Sequence, residues 1–298
     1  MTHPAVLEYE KVQQGQPSDY WTSRIHQLDL IESWDELALL TLVSAWSGEP
    51  LPNKTSVAWT GLFNKMKAWP LHEDTNLVVD SLRSLHDNVL WSKEKAVALL
   101  RSLYQQGFKG WPSLFSFSDV KSGSLGYHTL YFMYANRAEL LKDPENLNAL
   151  LHVFCTAPLS KSFRETLFLG ILNSDGDIQA AALTYLKKDM AQWANPVKKE
   201  SAVITISYDF LKQTLFSEGI NTLLKPESIE IKYLVHLFPE RAAWFQQQME
   251  VYSLLSSDAD NTGMPLQVLL NTWSSNSELE KLDDAASIFE ISLNSLSF

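Results

Sequence analysis

The chain has little of what loop-rich and disulfide-stabilised folds need. Its 298 residues include one cysteine, 11 glycines and 12 prolines. A single cysteine cannot form an internal disulfide, which fits a reducing compartment. All-β folds need more turn residues, so the low glycine and proline content favours helices. A chain of this length can bury enough surface to fold without a metal or a disulfide.

Long hydrophobic runs are also missing. The longest nearly apolar run covers residues 37–43, far short of the roughly 20 residues that cross a bilayer. The first residues lack the basic start and apolar core of a secretory signal. We therefore expect a cytoplasmic protein with no membrane partner.

No catalytic or metal-binding motif is recognisable. Phosphate-loop, dinucleotide-binding and nucleophile-elbow patterns are absent, and the seven histidines include no pair at metal-ligand spacing on one helix. A calcium-loop pattern begins at Asp258, but its twelfth position is Leu269 instead of glutamate. The apolar neighbours of Cys155 predict a buried, unreactive thiol. We predict a non-enzymatic protein without catalytic residues, cofactors or metals.

Negative charge is concentrated at the two ends of the sequence. The formal net charge is −11; residues 1–53 contribute −6, with eight acidic and two basic residues, and residues 250–298 contribute −7. Nucleic-acid binding requires a basic face, so we expect none. Acidic ends fit a basic protein partner attracted over a long range. A role in solubility alone is the alternative.

Helix-start signals recur along the chain. Residues 33–36, 162–165 and 275–278 fit the capping box, in which a serine caps a helix and a glutamate reaches back. Pro144 and Pro226 fit first helical positions. Apolar residues between these signals repeat at helical spacing, which predicts about a dozen helices. The β-branched residues 202–208 are also predicted helical, with a strand as the alternative.

Residues 163–193 have the most specific pattern. A first helix with Gly170 near its end leads into an acidic turn and an alanine-rich second helix. Gly170 allows a close backbone approach, which the small residues 180–182 would accept. Asp175 and Asp177 lie where the dipole of the second helix favours negative charge.

This pattern resembles the HEAT-repeat family, although Gln179 stands where that family often has arginine. Weaker echoes occur at residues 141–154, 223–237 and 254–260. The resemblance implies an all-α, irregular α-solenoid of stacked helical hairpins that works as a binding surface. A non-repetitive helical domain is the alternative. The matching residues are Leu172, Asp175, Asp177, Ile178, Ala181, Ala182, Leu183 and Leu186.

We predict a single elongated domain over residues 1–298, with a division into residues 1–110 and 124–298 as the alternative. The apolar stripe between Leu279 and Leu296 predicts a terminal helix that caps the body. Self-association through this helix is the alternative, and the sequence does not define the oligomeric state.

Aromatic residues are concentrated in residues 104–134, which hold nine of them and four of the 11 glycines. Rigid aromatic area beside flexible loops suits an interface hot spot or an apolar pocket. An aromatic core beneath a long connector is the alternative. The predicted partner-binding residues are Tyr104, Phe108, Trp111, Phe115, Phe117, Tyr127, His128 and Tyr131, together with the acidic Asp258, Asp260, Asp283 and Asp284.

These patterns predict a protein-binding module that docks or neutralises a basic protein, as immunity proteins, antitoxins and adaptors do. The alternative is a helical enzyme or small-molecule binder with an apolar pocket around residues 104–134. His128, Tyr127 and Asp119 would then supply its polar groups.

Overall fold

The computed structural model describes residues 3–53, 56–85, 92–115, 124–157, 159–194, 215–256 and 263–276. These residues form helices joined by turns, together with one antiparallel strand pair, β1 (Leu223–Leu224) and β2 (Met264–Pro265). The chain is therefore all-α, as predicted. The solenoid arrangement and the HEAT resemblance stay predictions. None of the helices in these ranges combines the length and apolar character needed to cross a bilayer.

The chain divides into two compact units, which are described separately. Unit 1 comprises the described residues up to Met133, and unit 2 those from Tyr134 onward. The predicted domain boundaries stay predictions. The predicted helix at residues 202–208 and the stripe from Leu279 to Leu296 lie outside the described residues.

Unit 1 consists of helices and two short 3-10 turns. Its main helices are α1 (Pro4–Gln13), α2 (Asp19–His26), α3 (Trp34–Ser47), α4 (Ala58–Met66), α5 (Thr75–Ser84), α6 (Lys93–Gln105) and α7 (Leu125–Ala135), whose last two residues belong to unit 2. The 3-10 turns are Leu28–Leu30 and Pro112–Phe115. Helices α1, α2 and α3 pack against one another, and α5 packs on α3.

Serine caps explain where several of these helices begin. The hydroxyls of Ser18, Ser33 and Ser92 each accept the backbone N–H three residues ahead, which satisfies a donor that the helix cannot. The capping box at residues 33–36 is confirmed only for its serine. The Glu36 carboxylate accepts the backbone N–H of Glu32 at 2.9 Å instead of reaching back to Ser33.

Unit 2 contains seven helices within the described ranges. These are α8 (Arg137–Leu140), α9 (Pro144–Thr156), α10 (Lys161–Leu172), α11 (Gly176–Trp193), α12 (Ile229–Leu237), α13 (Ala242–Leu255) and α14 (Leu266–Asn276). The 3-10 turns are Gly219–Asn221 and Pro239–Arg241. Helix α11 packs on both α9 and α10, and α13 packs on α12. An aromatic core holds Phe154, Phe168, Phe238, Phe245 and Trp273 in mutual contact.

The start signals in unit 2 are only partly confirmed. Pro144 opens α9 behind an Asp143 cap, as predicted. Helix α12 begins at Ile229 behind a Ser228 cap, so the start predicted at Pro226 is wrong. The box at residues 162–165 is also wrong, because α10 begins two residues earlier than a Ser162 cap requires and Glu165 is an ion-pair partner. Ser275 lies near the end of α14, so it caps no helix start there.

Helices α10 and α11 form the predicted helical pair around an acidic turn. The role of Gly170 differs from the prediction, because a Cβ atom there would lie 2.3 Å from the Tyr134 ring. Of the small residues 180–182, Ala180 and Ala181 are exposed and Ala182 is buried. Gln179 donates a hydrogen bond to the Leu172 carbonyl at the end of α10, so its amide ties the two helices together.

Candidate partner-binding site

Most of the predicted aromatic partner-binding residues lie in the core of unit 1. Phe108, Trp111 and Tyr131 are buried, and the Trp111 ring stacks on Phe132 at 5.4 Å between centroids. Burial raises the pKa of Tyr131 above its usual range. Because these side chains offer almost no surface, the structure favours the aromatic-core alternative. Their assignment to an interface hot spot is corrected accordingly.

Other predicted site residues are half-buried or lie outside the described ranges. Tyr104 and Tyr127 are half-buried, with rings that contact Phe132 and Tyr131. His128 is buried, so it does not line an open pocket. Phe117, Asp119, Asp258, Asp260, Asp283, Asp284 and the side chain of Phe115 lie outside the described residues.

An open cleft lies elsewhere in unit 1, among α1, α2 and the end of α3. Its volume is about 330 Å³, within the range of ligand pockets. We call it the N-terminal cleft. Its lining residues are Val12, Gly15, Gln16, Pro17, Ser18, Trp21, Thr22, Ile25, Val43, Trp46, Ser47 and Glu49. The cleft therefore has an apolar floor with polar groups around it.

The exposed wall of the N-terminal cleft is the outer face of α3. Leu37, Leu40 and Val43 of this helix are buried, whereas Leu42 is 51% and Trp46 is 55% exposed. Residues four apart share one helix face, so Leu42 and Trp46 form an apolar stripe beside the cleft. Helix α3 therefore has an apolar face that packs in the unit and a second apolar face that stays exposed.

Trp46 lies outside the aromatic-rich residues 104–134, so the density of aromatic residues along the chain does not single it out. The signal was present in residues 37–46, where apolar residues occupy nearly every position. When such a helix lies at the surface of a small unit, one of its apolar faces stays in contact with solvent.

The negative charge of residues 1–53 is carried by exposed side chains. The two basic residues, Lys11 and Arg24, pair with Glu8 and Glu36 respectively. The other six acidic residues are all exposed: Glu10, Asp19, Asp29, Glu32, Asp35 and Glu49. The net charge of −6 therefore faces the solvent on the three helices that form the N-terminal cleft and on the turns beside them.

A buried glutamate, paired with an arginine and a tyrosine, fixes α2 against α3. Glu36 is 2% exposed and accepts hydrogen bonds from Arg24 and from the Tyr20 hydroxyl, the latter at 2.5 Å. The Arg24 guanidinium also stacks on the Tyr20 ring, 3.4 Å from its centroid. Burial, followed by the hydrogen bond to Glu36, raises the pKa of Tyr20. The cleft is thus built on an internally paired framework.

Unit 2 has two apolar clefts with volumes of about 420 and 490 Å³. Pro226 and Met249 line both, and Trp193, 41% exposed, lines the second. Of the described residues, Glu250 is the one charged residue that lines the first cleft, and Lys232 is the one that lines the second. Both clefts lie outside the acidic residues 1–53 that form the N-terminal cleft.

Cys155 in unit 2 is half-buried beside Tyr233 and Asp189. The Tyr233 hydroxyl donates a hydrogen bond to Asp189 at 2.6 Å. Burial, together with the Asp189 charge, raises the pKa of Cys155 to about 12. A nucleophilic thiol needs a lowered pKa, so this environment is the opposite of an activating one.

No three histidine, cysteine, aspartate or glutamate side chains within the described ranges are placed to hold a metal ion. Comparison with known proteins gives no match to any protein-family model, curated protein or solved structure.

Proposed function

We propose that this chain is a non-enzymatic protein-binding module and that its N-terminal cleft docks a basic segment of another protein. The main support is the exposed Trp46 at the edge of an apolar cleft, within residues 1–53, which have a net charge of −6. Of the six exposed acidic side chains there, Asp35 contacts His72 at 3.3 Å. Tryptophan is the residue type most enriched in interface hot spots. Negative charge around it attracts a basic partner and disfavours acidic ones.

An immunity, antitoxin or adaptor role fits this proposal, because each requires a preformed surface that captures one partner. The alternative of an enzyme or small-molecule binder at residues 104–134 has less support, because Phe108, Trp111 and His128 are packed in the core. Coulombic attraction over a Debye length of about 10 Å at 0.1 M salt would accelerate the approach of a basic protein.

Selection of short random peptides on the full-length chain tests the proposal. Selected peptides should have net positive charge beside a bulky apolar residue, and their affinity should fall as salt concentration rises. The variant Trp46→Ser should bind them at least about 30-fold more weakly, since truncation of a hot spot removes about 2 kcal/mol or more.

The matched control is Leu7→Ser. Leu7 is an exposed apolar residue of similar accessibility, 50%, but it does not line the N-terminal cleft. This variant should bind the selected peptides like the original chain. Selection of neutral or acidic peptides, or equal binding by Trp46→Ser and the original chain, would reject the proposal.

A further inference from the structure

Trp46 and Glu49, one aromatic and one acidic residue, both line the N-terminal cleft, and we call them the Trp46 and Glu49 pair. Gly48 ends α3 with a φ of 74°, in the left-handed region, and turns the chain back so that Glu49 also lines the cleft. The Ser44 hydroxyl donates to the Glu49 carbonyl at 2.6 Å. The backbone position of Glu49 is therefore tied to the last turn of α3.

The end of α3 adds further acceptors at the same place. The last carbonyl groups of a helix have no partner within it, and the helix dipole puts partial negative charge there. Gly48 donates to the Ser44 carbonyl. The carbonyls of Ala45, Trp46 and Ser47 receive no hydrogen bond from the described residues. A cation in the cleft would lie beside the negative end of the helix dipole, with Glu49 and Trp46 among the lining residues.

Two other pairs of a glutamate and an aromatic residue in this protein are each contacted by an arginine of the same chain. In unit 1, Arg24 stacks on the Tyr20 ring and donates to the Glu36 carboxylate. In unit 2, Arg241 donates twice to Glu165, at 2.7 Å each, and lies 5.8 Å from the centre of the Trp244 ring. Each glutamate and aromatic pair is completed by an arginine.

No arginine of the described residues fills the pair of Trp46 and Glu49. Resting on the function proposed above, we infer that the partner completes this pair with an arginine side chain that stacks on Trp46 and donates to Glu49. The planar guanidinium combines stacking with several donors in a fixed fork. A lysine ammonium is a strongly hydrated point charge that can pair with the carboxylate but has no planar face to stack on the ring.

Three capped amino acids test this inference on the full-length chain: N-acetyl-arginine amide, N-acetyl-lysine amide and the uncharged isostere N-acetyl-citrulline amide. Each is titrated while the indole N–H signal of Trp46 is followed by NMR. Loss of that signal in Trp46→Phe assigns it among the ten tryptophans. Arginine should shift the signal and bind about two- to five-fold more tightly than lysine, the size of an exposed cation–π contribution. Citrulline should not bind.

Two variants locate the contact. In Trp46→Leu, followed through the Gly48 amide signal, arginine should lose its advantage over lysine. In Glu49→Gln, both cations should bind more weakly. Leu7→Ser should match the original chain. Equal binding of arginine and lysine to the original chain would overturn the inference, while selection of lysine-rich peptides would leave the proposed function standing. Failure of both cations and of all basic peptides would reject both.

Discussion

The close contact between Gly170 and Tyr134 allows a specific test of the packing of unit 2. An ideal Cβ atom on Gly170 would lie 2.3 Å from both Cε2 and the hydroxyl oxygen of Tyr134, and 2.6 Å from Cζ. The Tyr134 ring is only 2% exposed, and the Arg137 guanidinium lies 4.6 Å from its centroid. The ring cannot move aside without disturbing its surroundings. We therefore expect Gly170→Ala to destabilise unit 2.

Two opposing terms set the size of this effect. Replacing glycine by alanine within a helix contributes up to about 1 kcal/mol through helix propensity. Forcing an extra methyl group into a packed core costs about 1–3 kcal/mol. Because the required shift exceeds 1 Å relative to an ordinary contact of 3.4 Å, the upper end of that cost applies. The net loss should be about 2 kcal/mol, equivalent to a fall in Tm of about 4–8 °C.

Thermal unfolding and urea titration measure this loss, and Gly176→Ala is the matched control. Gly176 is the first residue of α11, and a Cβ there would meet nothing within 4 Å. Its replacement should change the unfolding free energy by no more than about 0.5 kcal/mol. The control separates steric overlap from the general effect of replacing glycine by alanine in a helix.

A second substitution identifies the cause. In a Tyr134→Leu background, the ring that would overlap with the new methyl group is absent. Gly170→Ala should then cost much less unfolding free energy than in the original chain, a coupling energy above about 1 kcal/mol. If Gly170→Ala were as stable as the original chain, or equally destabilising with and without the tyrosine ring, the packing of α10 on Tyr134 would be refuted.

Three further predictions concern charged and titratable groups. Glu36→Gln should lower the unfolding free energy in urea by about 3 kcal/mol, because it leaves Arg24 without its buried counter-ion. Native Cys155, with a pKa near 12, should react with iodoacetamide far more slowly than the unfolded chain. Since its unfolded thiol loses a proton first, the unfolding free energy should fall as pH rises from about 9 to about 12. Arg241→Lys should lower it by about 1–2 kcal/mol, because lysine cannot make both hydrogen bonds to Glu165.

Controls for these three predictions come from the same chain. The exposed Glu32→Gln and Arg83→Lys should change the unfolding free energy by less than about 0.5 kcal/mol. Cys155→Ala should remove the part of the alkaline loss that the thiol causes. Rapid alkylation of the native thiol would contradict its raised pKa. So would identical pH profiles for Cys155→Ala and the original chain.

Helices were predictable from the sequence wherever the signal was local. Pro144 and Ser33 act through backbone groups a few residues away, so their roles are fixed by sequence spacing. Glu36 and Glu165 have the glutamate spacing of capping boxes, yet each binds an arginine on another element, at Arg24 and Arg241. A short-range motif cannot predict a long-range partner, which explains why the carboxylate half of each box was misassigned.

Phe108, Trp111 and Tyr131 of the aromatic segment are buried, which their density along the sequence could not foretell. Density along the sequence does not distinguish rings that pack on one another from rings that face the solvent. Trp111 contacts both Phe108 and Phe132. Rings that are close in the sequence thus pack against one another in the core. Trp46 is exposed because the inner face of α3 is already filled by its neighbours. That property depends on packing partners, and residues 37–46 alone do not specify them.

The framework of unit 1 separates the residues that stabilise it from those available for binding. Glu36 ties α2 to α3 on one face of α2 through Tyr20 and Arg24, whereas Trp21 of the same helix lines the N-terminal cleft. The cleft walls are thus held by contacts outside the cleft. A preformed site loses little conformational freedom on binding, so more of the contact energy appears as affinity. Exposed Trp46 adds little to folding, and its apolar surface is buried only when a partner docks.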